Sequence, residues 1–302
     1  MHLIRFRPDD GSGPGVGVLD GGELRRLAVD SMAALLRLPL TGVRELTEHP
    51  GDPVPDGWTA LPPIDGRTEV WASGVTYLRS RDARIEETTQ RSVYELVYDA
   101  ERPELFGKAP AWRVVSDSEP IAIRADSGLD VPEPELAVLA NAAGEVVGYL
   151  VCNDVSSRAI EGANPLYLPQ AKCYAGSTAL SALVRPAWEV DAGRLAIALS
   201  ISRAGAEVFA GRTGTDRMRR TPAELLGYLY RCENHPDGAV LSTGTGIVPD
   251  VEFSLQEGDV VTISISGIAT LVNPVVVGKD KLEFLADPVR PGIGRTLLGF
   301  PR

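Results

Sequence analysis

Apolar and polar positions alternate along most of this chain in the way strands do, with helical periodicity confined to a few stretches. Residues 3–6 predict a short strand. Val16-Gly17-Val18-Leu19 and residues 24–29 flank the turn Asp20-Gly21-Gly22, which is a hairpin signal. Ser31 is placed to cap a helix over 32–37 that stops near Pro39. Residues 49–66 then carry Pro50, Pro53, Pro55, Pro62 and Pro63 with Gly51, Gly57 and Gly66. Such a run supports neither a helix nor a central strand. The predicted division is a small N-terminal α+β domain with its Pro-rich linker over 1–66 and a larger unit over 67–302.

The larger unit is richer in strands than in helices. Residues 195–201 alternate with period two, and Ala204-Gly205 turns them back into Glu207-Val208-Phe209. Residues 260–266 and 268–272 make another hairpin about Ser266-Gly267. Two helices are expected. One covers 81–98, with an apolar stripe of Ile85, Val93, Leu96 and Val97; the other covers 222–232, started by Thr221 and Pro222. The pattern predicts an α+β fold, mostly β: an antiparallel assembly with a few covering helices, not a doubly wound α/β sheet.

Composition narrows the function classes. Of 302 residues, 30 are Lys or Arg and 41 Asp or Glu, a net charge of −11, which disfavours non-specific binding to nucleic acid. With 44% apolar residues the chain has enough surface to bury against its entropy. No apolar run approaches the roughly 18 residues of a membrane span. The start, MHLIRFRPDD, lacks the apolar region of a secretion signal. Cys152, Cys173 and Cys232 form no C-x-x-C pair, so reduced thiols in a cytoplasmic protein are expected.

The candidate chemistry lies between residues 131 and 154. Glu133 and Glu135 are two apart, so in a strand their carboxylates share a face. Asn141-Ala142-Ala143-Gly144 has turn chemistry and leads into the β-branched run that ends at Asn153-Asp154. A hairpin centred near residue 143 pairs positions that sum to about 286 and places Asp154 opposite residue 132 or its neighbours. A one-residue slip would change which face Asp154 occupies. Three carboxylates this close repel unless a cation sits among them. Oxygen donors, without histidine or sulfur nearby, suit Mg²⁺, Mn²⁺ or Ca²⁺ rather than Zn²⁺. The competing reading is a solvated strand face.

These residues resemble the fumarylacetoacetate hydrolase family. The likeness is carried by Glu133-Pro134-Glu135-Leu136-Ala137, Gly148-Tyr149, Asn153-Asp154-Val155-Ser156, Lys172 and Leu241-Ser242-Thr243-Gly244-Thr245-Gly246. It implies a mixed β-sandwich roll preceded by a small N-terminal domain, a divalent ion held by Glu133, Glu135 and Asp154, a small-molecule 2-oxo acid substrate, and a homodimer or homotetramer. Hydrolases and decarboxylases of the family carry G-x-N-Y-x-x-H, whose histidine activates water. Here the matching run is Gly74-Val75-Thr76-Tyr77-Leu78-Arg79-Ser80, with Ser80 where the histidine would stand. A serine does not titrate near neutral pH and is no substitute for imidazole. His2 is terminal, His49 opens the linker, and His235 lies beside a Pro-Asp-Gly turn.

The remaining pattern is similar to the 2-keto-3-deoxy-arabinonate (pentonate) dehydratase branch, through residues 74–84, 111–115 and 164–172. That resemblance implies a metal-dependent lyase in which chelation of the 2-keto acid acidifies C3–H and the C4 hydroxyl leaves, giving 2,5-dioxopentanoate. Lys172 is then expected near the carboxylate and enolate, as charge partner or proton shuttle. Thr245 and Gly244 would hold a substrate carboxylate or hydroxyl, and Tyr77, Ser80 and Arg84 would orient the sugar. Two alternatives stay open: a C–C bond hydrolase or 2-oxo acid decarboxylase on a larger substrate, and a non-catalytic carboxylate-binding homologue. Gly107 and Ala163 depart from the branch, where an aromatic and a glutamate are expected. The basic stretch 211–220 is expected to be a solvated loop.

Overall fold

The computed structural model describes residues 1–87 and 96–287. Glu23–Arg26, Gly15–Asp20, His2–Pro8 and Trp58–Leu61 form an antiparallel sheet in that spatial order. Gly21 and Gly22 close its first hairpin with φ of 54° and 90°, the doubly positive turn that only small residues take without strain. Ser31 caps Met32–Leu36 by accepting the Ala34 N–H at 3.0 Å. A second short helix, Leu40–Glu48, begins beyond Pro39, where the pattern predicts only a stop. Trp58–Leu61 lies inside the Pro-rich run, in the proline-free stretch between Pro55 and Pro62, and takes an edge position.

The site is built on a seven-stranded mixed sheet. Its order is Thr178–Leu180, Val146–Asp154, Pro134–Ala140, Ala239–Thr245, Glu69–Ala72, Phe106–Pro110, with Arg185–Pro186 also on Val146–Asp154. A five-stranded sheet packs against it in the order Ala206–Gly214, Ala196–Arg203, Val260–Ile265, Ala269–Val277, Ile121–Ile123. Antiparallel pairing predominates, as expected; Ala239–Thr245 with Glu69–Ala72, and Ala269–Val277 with Ile121–Ile123, run parallel.

Both faces of the seven-stranded sheet are covered. Along Pro134–Ala140, Leu136 enters a core with Ile197, Leu199, Ile263 and Leu271 of the five-stranded sheet. Ala137 and Leu139 enter a second core with Leu3, Val18, Met32 and Leu35 of the N-terminal segment. Val138 and Ala140 pack on Leu225 and Leu229 of helix Pro222–Leu229, which Thr221 caps. Coverage on both faces is why this strand is buried at every position and reads as a continuous apolar run. The helix expected over 81–98 begins earlier, as Leu78–Glu87. Val93 lies outside the described residues, and Leu96, expected in its apolar stripe, is exposed. No described helix is long and apolar enough to cross a membrane.

Candidate functional site

The hairpin register departs from expectation by one residue, and that residue builds the site. Val146 pairs with Ala140, a sum of 286, but a bulge between Val146 and Gly148 shifts every later pair to 287. Gly148 then faces Leu139, Cys152 faces Glu135, and the Asp154 N–H bonds the Glu133 carbonyl at 3.0 Å. Opposed residues share a sheet face. With the unbulged sum, Asp154 would lie on the face of Pro132 and Pro134, away from both glutamates. The extra residue at Val147 moves it onto theirs. Gly148 permits the close approach of the next segment, since a Cβ there would stand 2.6 Å from the Arg185 carbonyl oxygen.

One oxygen from each of Glu133, Glu135 and Asp154 lies within 4.8 Å of the others, and all three residues are buried. The solvated strand face is therefore excluded. Burial, then the neighbouring Asp154 and Glu133 carboxylates, push the Glu135 carboxyl above its ordinary range. Its Oε2 accepts from Ser242 Oγ at 2.6 Å and from the Gly244 N–H at 2.8 Å. Cations serve the other two. Lys172 Nζ donates to Glu133 Oε1 at 2.9 Å, Asp154 Oδ2 at 3.2 Å and Ser156 Oγ at 2.5 Å. Arg158 lies 3.2 Å from Glu133 Oε1, and Lys108 Nζ lies 2.7 Å from Asp154 Oδ1. The donor set fits a hard divalent ion. The expectation of no sulfur nearby needs correction, because Cys152 faces Glu135 across the hairpin. Burial and the Glu135 charge push its thiol well up, keeping it neutral and leaving oxygens as the ligands on offer.

Lys172 ends the short helix Leu168–Lys172, reached through a turn in which Asn164 Oδ1 accepts the Leu166 N–H at 3.0 Å. Gly244 and Thr245 lie beside Glu135. The strand slips register there, Thr245 faces Glu135, and Gly244 takes a φ of 93°. Thr245 Oγ1 turns the chain locally, accepting from the Ile247 N–H at 3.2 Å. Tyr77 is buried, its hydroxyl has no hydrogen-bond partner among the described residues, and burial followed by the Glu135 charge raises its pKa. Its ring packs at Gly246, where a Cβ would come within 2.6 Å. Ser80 Oγ donates to the Tyr77 carbonyl at 2.7 Å and accepts the Tyr77 N–H at 3.3 Å, so it ties the start of helix Leu78–Glu87. Arg84 lies on that helix, with its side chain outside the described residues.

Sequence reasoning missed Lys108, Arg158 and Ser242. The available signal for Lys108 was its isolation as the only charge between Glu104 and Arg113. A Cβ on Gly107 would meet nothing within 4 Å, so the departure there leaves open space next to Phe106. Ala163 is exposed at the end of helix Arg158–Ala163. The stretch 211–220 is not the expected solvated loop: 211–214 end strand Ala206–Gly214, Thr215–Arg217 forms a single helical turn, and the end is anchored by its arginines. Arg220 is buried, paired with Glu224 at 2.6 Å and bonded to the Ala100 and Glu101 carbonyls; Arg219 Nε bonds the Tyr98 carbonyl at 2.9 Å. Backbone carbonyls of a chain crossing this surface need donors, and the two guanidinium groups supply them.

Residues 93–276 match a family model described as fumarylacetoacetate (FAA) hydrolase C-terminal. The chain is 45% identical over 258 residues to a probable 2-keto-3-deoxyxylonate dehydratase of Haloferax volcanii, covering 84% of this chain and 87% of that protein. It is 44% identical over 218 residues to the 2-dehydro-3-deoxy-D-arabinonate dehydratase of Saccharolobus solfataricus, covering 70% and 73% respectively. A solved structure of 2-keto-3-deoxy-D-arabinonate dehydratase complexed with magnesium and 2,5-dioxopentanoate aligns with a TM-score of 0.80 at 37% identity, covering 92% of this chain and 99% of that one.

Proposed function

The chain belongs to the fumarylacetoacetate hydrolase family, and on that premise we propose that it dehydrates a 2-keto-3-deoxy sugar acid to 2,5-dioxopentanoate with Mg²⁺ as cofactor. The observation that carries this reading is the buried Glu133–Glu135–Asp154 cluster with the Lys172 ammonium in contact with it. In the proposal these three carboxylates hold the ion. When bound, it supplies Lewis-acid stabilisation of negative charge that develops on the substrate's 2-oxo oxygen.

The protein's own groups are assigned as follows. Lys172 Nζ faces the oxo-acid end of the substrate, as charge partner for its carboxylate or as carrier of the C3 proton. The Tyr77 hydroxyl, buried and without a partner among the described residues, is assigned as a donor for a substrate oxygen. Gly244 and Thr245 lie beside Glu135, and Ser80 and Arg84, both on helix Leu78–Glu87, are assigned to the sugar hydroxyls. Dehydration needs no imidazole to activate water. The three histidines serve elsewhere: His2 bonds the Ile268 carbonyl, His49 ends helix Leu40–Glu48, and His235 packs between Trp71 and Tyr230. This supports loss of water from the substrate over hydrolytic C–C cleavage.

NMR of the protein with Mg²⁺ and 2-keto-3-deoxypentonate should show 2,5-dioxopentanoate accumulating, with a chelator stopping it and Mg²⁺ restoring it. No product from the metal-loaded protein would reject the assignment.

A further inference from the structure

Six ionisable side chains meet at this site: Glu133, Glu135 and Asp154 against Lys108, Lys172 and Arg158, all six buried. Three carboxyl groups thus face three cationic side chains. A dication entering among these carboxylates meets the three cations already paired with them, in buried surroundings where repulsion is weakly screened. One or more of the cations must yield, and the geometry separates them.

Lys172 Nζ bridges two ligand residues at once, touching Glu133 Oε1 and Asp154 Oδ2, and it is carried on a five-residue helix. Lys108 approaches Asp154 at the other oxygen, Oδ1. Its hydrogen bonds go to backbone, the Val155 carbonyl at 3.1 Å and the Lys172 carbonyl. One lysine thus occupies the space between the carboxylates, and the other braces Asp154 and the turn that carries Lys172.

We infer that the Lys172 ammonium stands in for the dication in the metal-free protein and releases its carboxylates when the ion binds, whereas Lys108 stays in place as a positioning residue. Once released, Lys172 Nζ keeps Ser156 as its neighbour and is available to an anionic ligand. The metal is thereby coupled to the group that receives the substrate. The inference rests on the metal assignment proposed above and not on dehydration.

The test is calorimetric titration of Mg²⁺ alone into the wild type and into Lys172→Met, Lys172→Gln, Lys108→Met and Lys108→Gln. Each substitution removes one positive charge, so a general field effect would tighten Mg²⁺ binding at both positions by similar factors. The expected result is divergence. The Lys172 variants bind Mg²⁺ at least tenfold more tightly, and the Lys108 variants bind it more weakly than wild type. Unchanged or weaker binding in the Lys172 variants overturns the inference, as does an equal gain at Lys108. Two variants at each position guard against one that does not fold. Because no substrate is present, this pattern in a protein that fails to dehydrate would reject the reaction and leave the exchange standing.

Discussion

Replacing Gly244 by alanine tests the strand irregularity that positions Glu135. Gly244 has a φ of 93°, where an L side chain costs about 1–2 kcal/mol. A Cβ there would stand 1.9 Å from Thr76 Oγ1 and 3.0 Å from the Ser73 carbonyl oxygen. The hydroxyl is not free to swing aside, because Thr76 Oγ1 donates to the Thr243 carbonyl at 2.6 Å in a buried setting. Overpacking of this kind adds about 1–3 kcal/mol. The sum predicts a loss of about 2–5 kcal/mol, read as a shift of the urea midpoint at constant m. A double-mutant cycle with Thr76→Ala separates the two parts. Thr76→Ala alone leaves the Thr243 carbonyl unsatisfied, at about 1–3 kcal/mol. It also removes the nearest atom in the way and leaves the tighter-than-usual contacts with the Ser73 carbonyl oxygen at 3.0 Å and Thr76 Cβ at 3.1 Å. Gly244→Ala in that background should therefore cost the conformational part, about 1–2 kcal/mol, plus a reduced packing cost, less than in the wild-type background. The reasoning fails if Gly244→Ala costs less than about 1 kcal/mol, or the same in both backgrounds. Displacement of the Gly244 N–H also withdraws a donor from Glu135, so Mg²⁺ binding by the single variant should weaken.

Two further outcomes concern the arginine anchors and acid stability. Arg220→Met should lose about 2–3 kcal/mol, since a buried guanidinium gives up charged hydrogen bonds to Ala100, Glu101 and Glu224. Arg219→Met, at a side chain 43% exposed, should lose under about 1 kcal/mol. Equal losses in urea denaturation would show that burial is not what distinguishes them. Asp237 accepts from Arg67 through its backbone N–H at 2.9 Å and its Nε at 3.2 Å, and from Arg37 Nε at 3.0 Å. These contacts, the Arg67 side chain first, hold its carboxyl well below the ordinary value of 3.8. A depressed folded-state pKa stabilises the protein at pH values above that ordinary one, and the contribution is lost as pH falls below it. The stability gap between wild type and Asp237→Asn should therefore be full at pH 7 and shrink as the pH drops through about 4. A gap that does not vary with pH would count against the charge account.

What the sequence displayed and what it concealed follow from how far apart the contributing residues lie. Glu133, Glu135 and Asp154 share one hairpin, so period-two geometry and the turn at Asn141–Gly144 were enough to bring them together. Their common face was not legible. It depends on a bulge at Val147, next to which the Arg185 backbone packs closely on Gly148, a contact between segments 37 residues apart. The N-caps at Ser31 and Thr221 were legible because a cap and its helix are neighbours in sequence, whereas Leu40–Glu48, with a glycine and two threonines, offers little propensity and is held by packing. Lys108 and Arg158 show the same limit in the site. Each reaches its carboxylate from a different element, and a charged residue on a short strand or helix normally reads as surface. Their burial is explicable only after the acidic cluster exists: three carboxylates in a closed space require cations, and the fold draws them from wherever it passes. A sequence can therefore disclose the ligands of such a centre while hiding the charges that balance it.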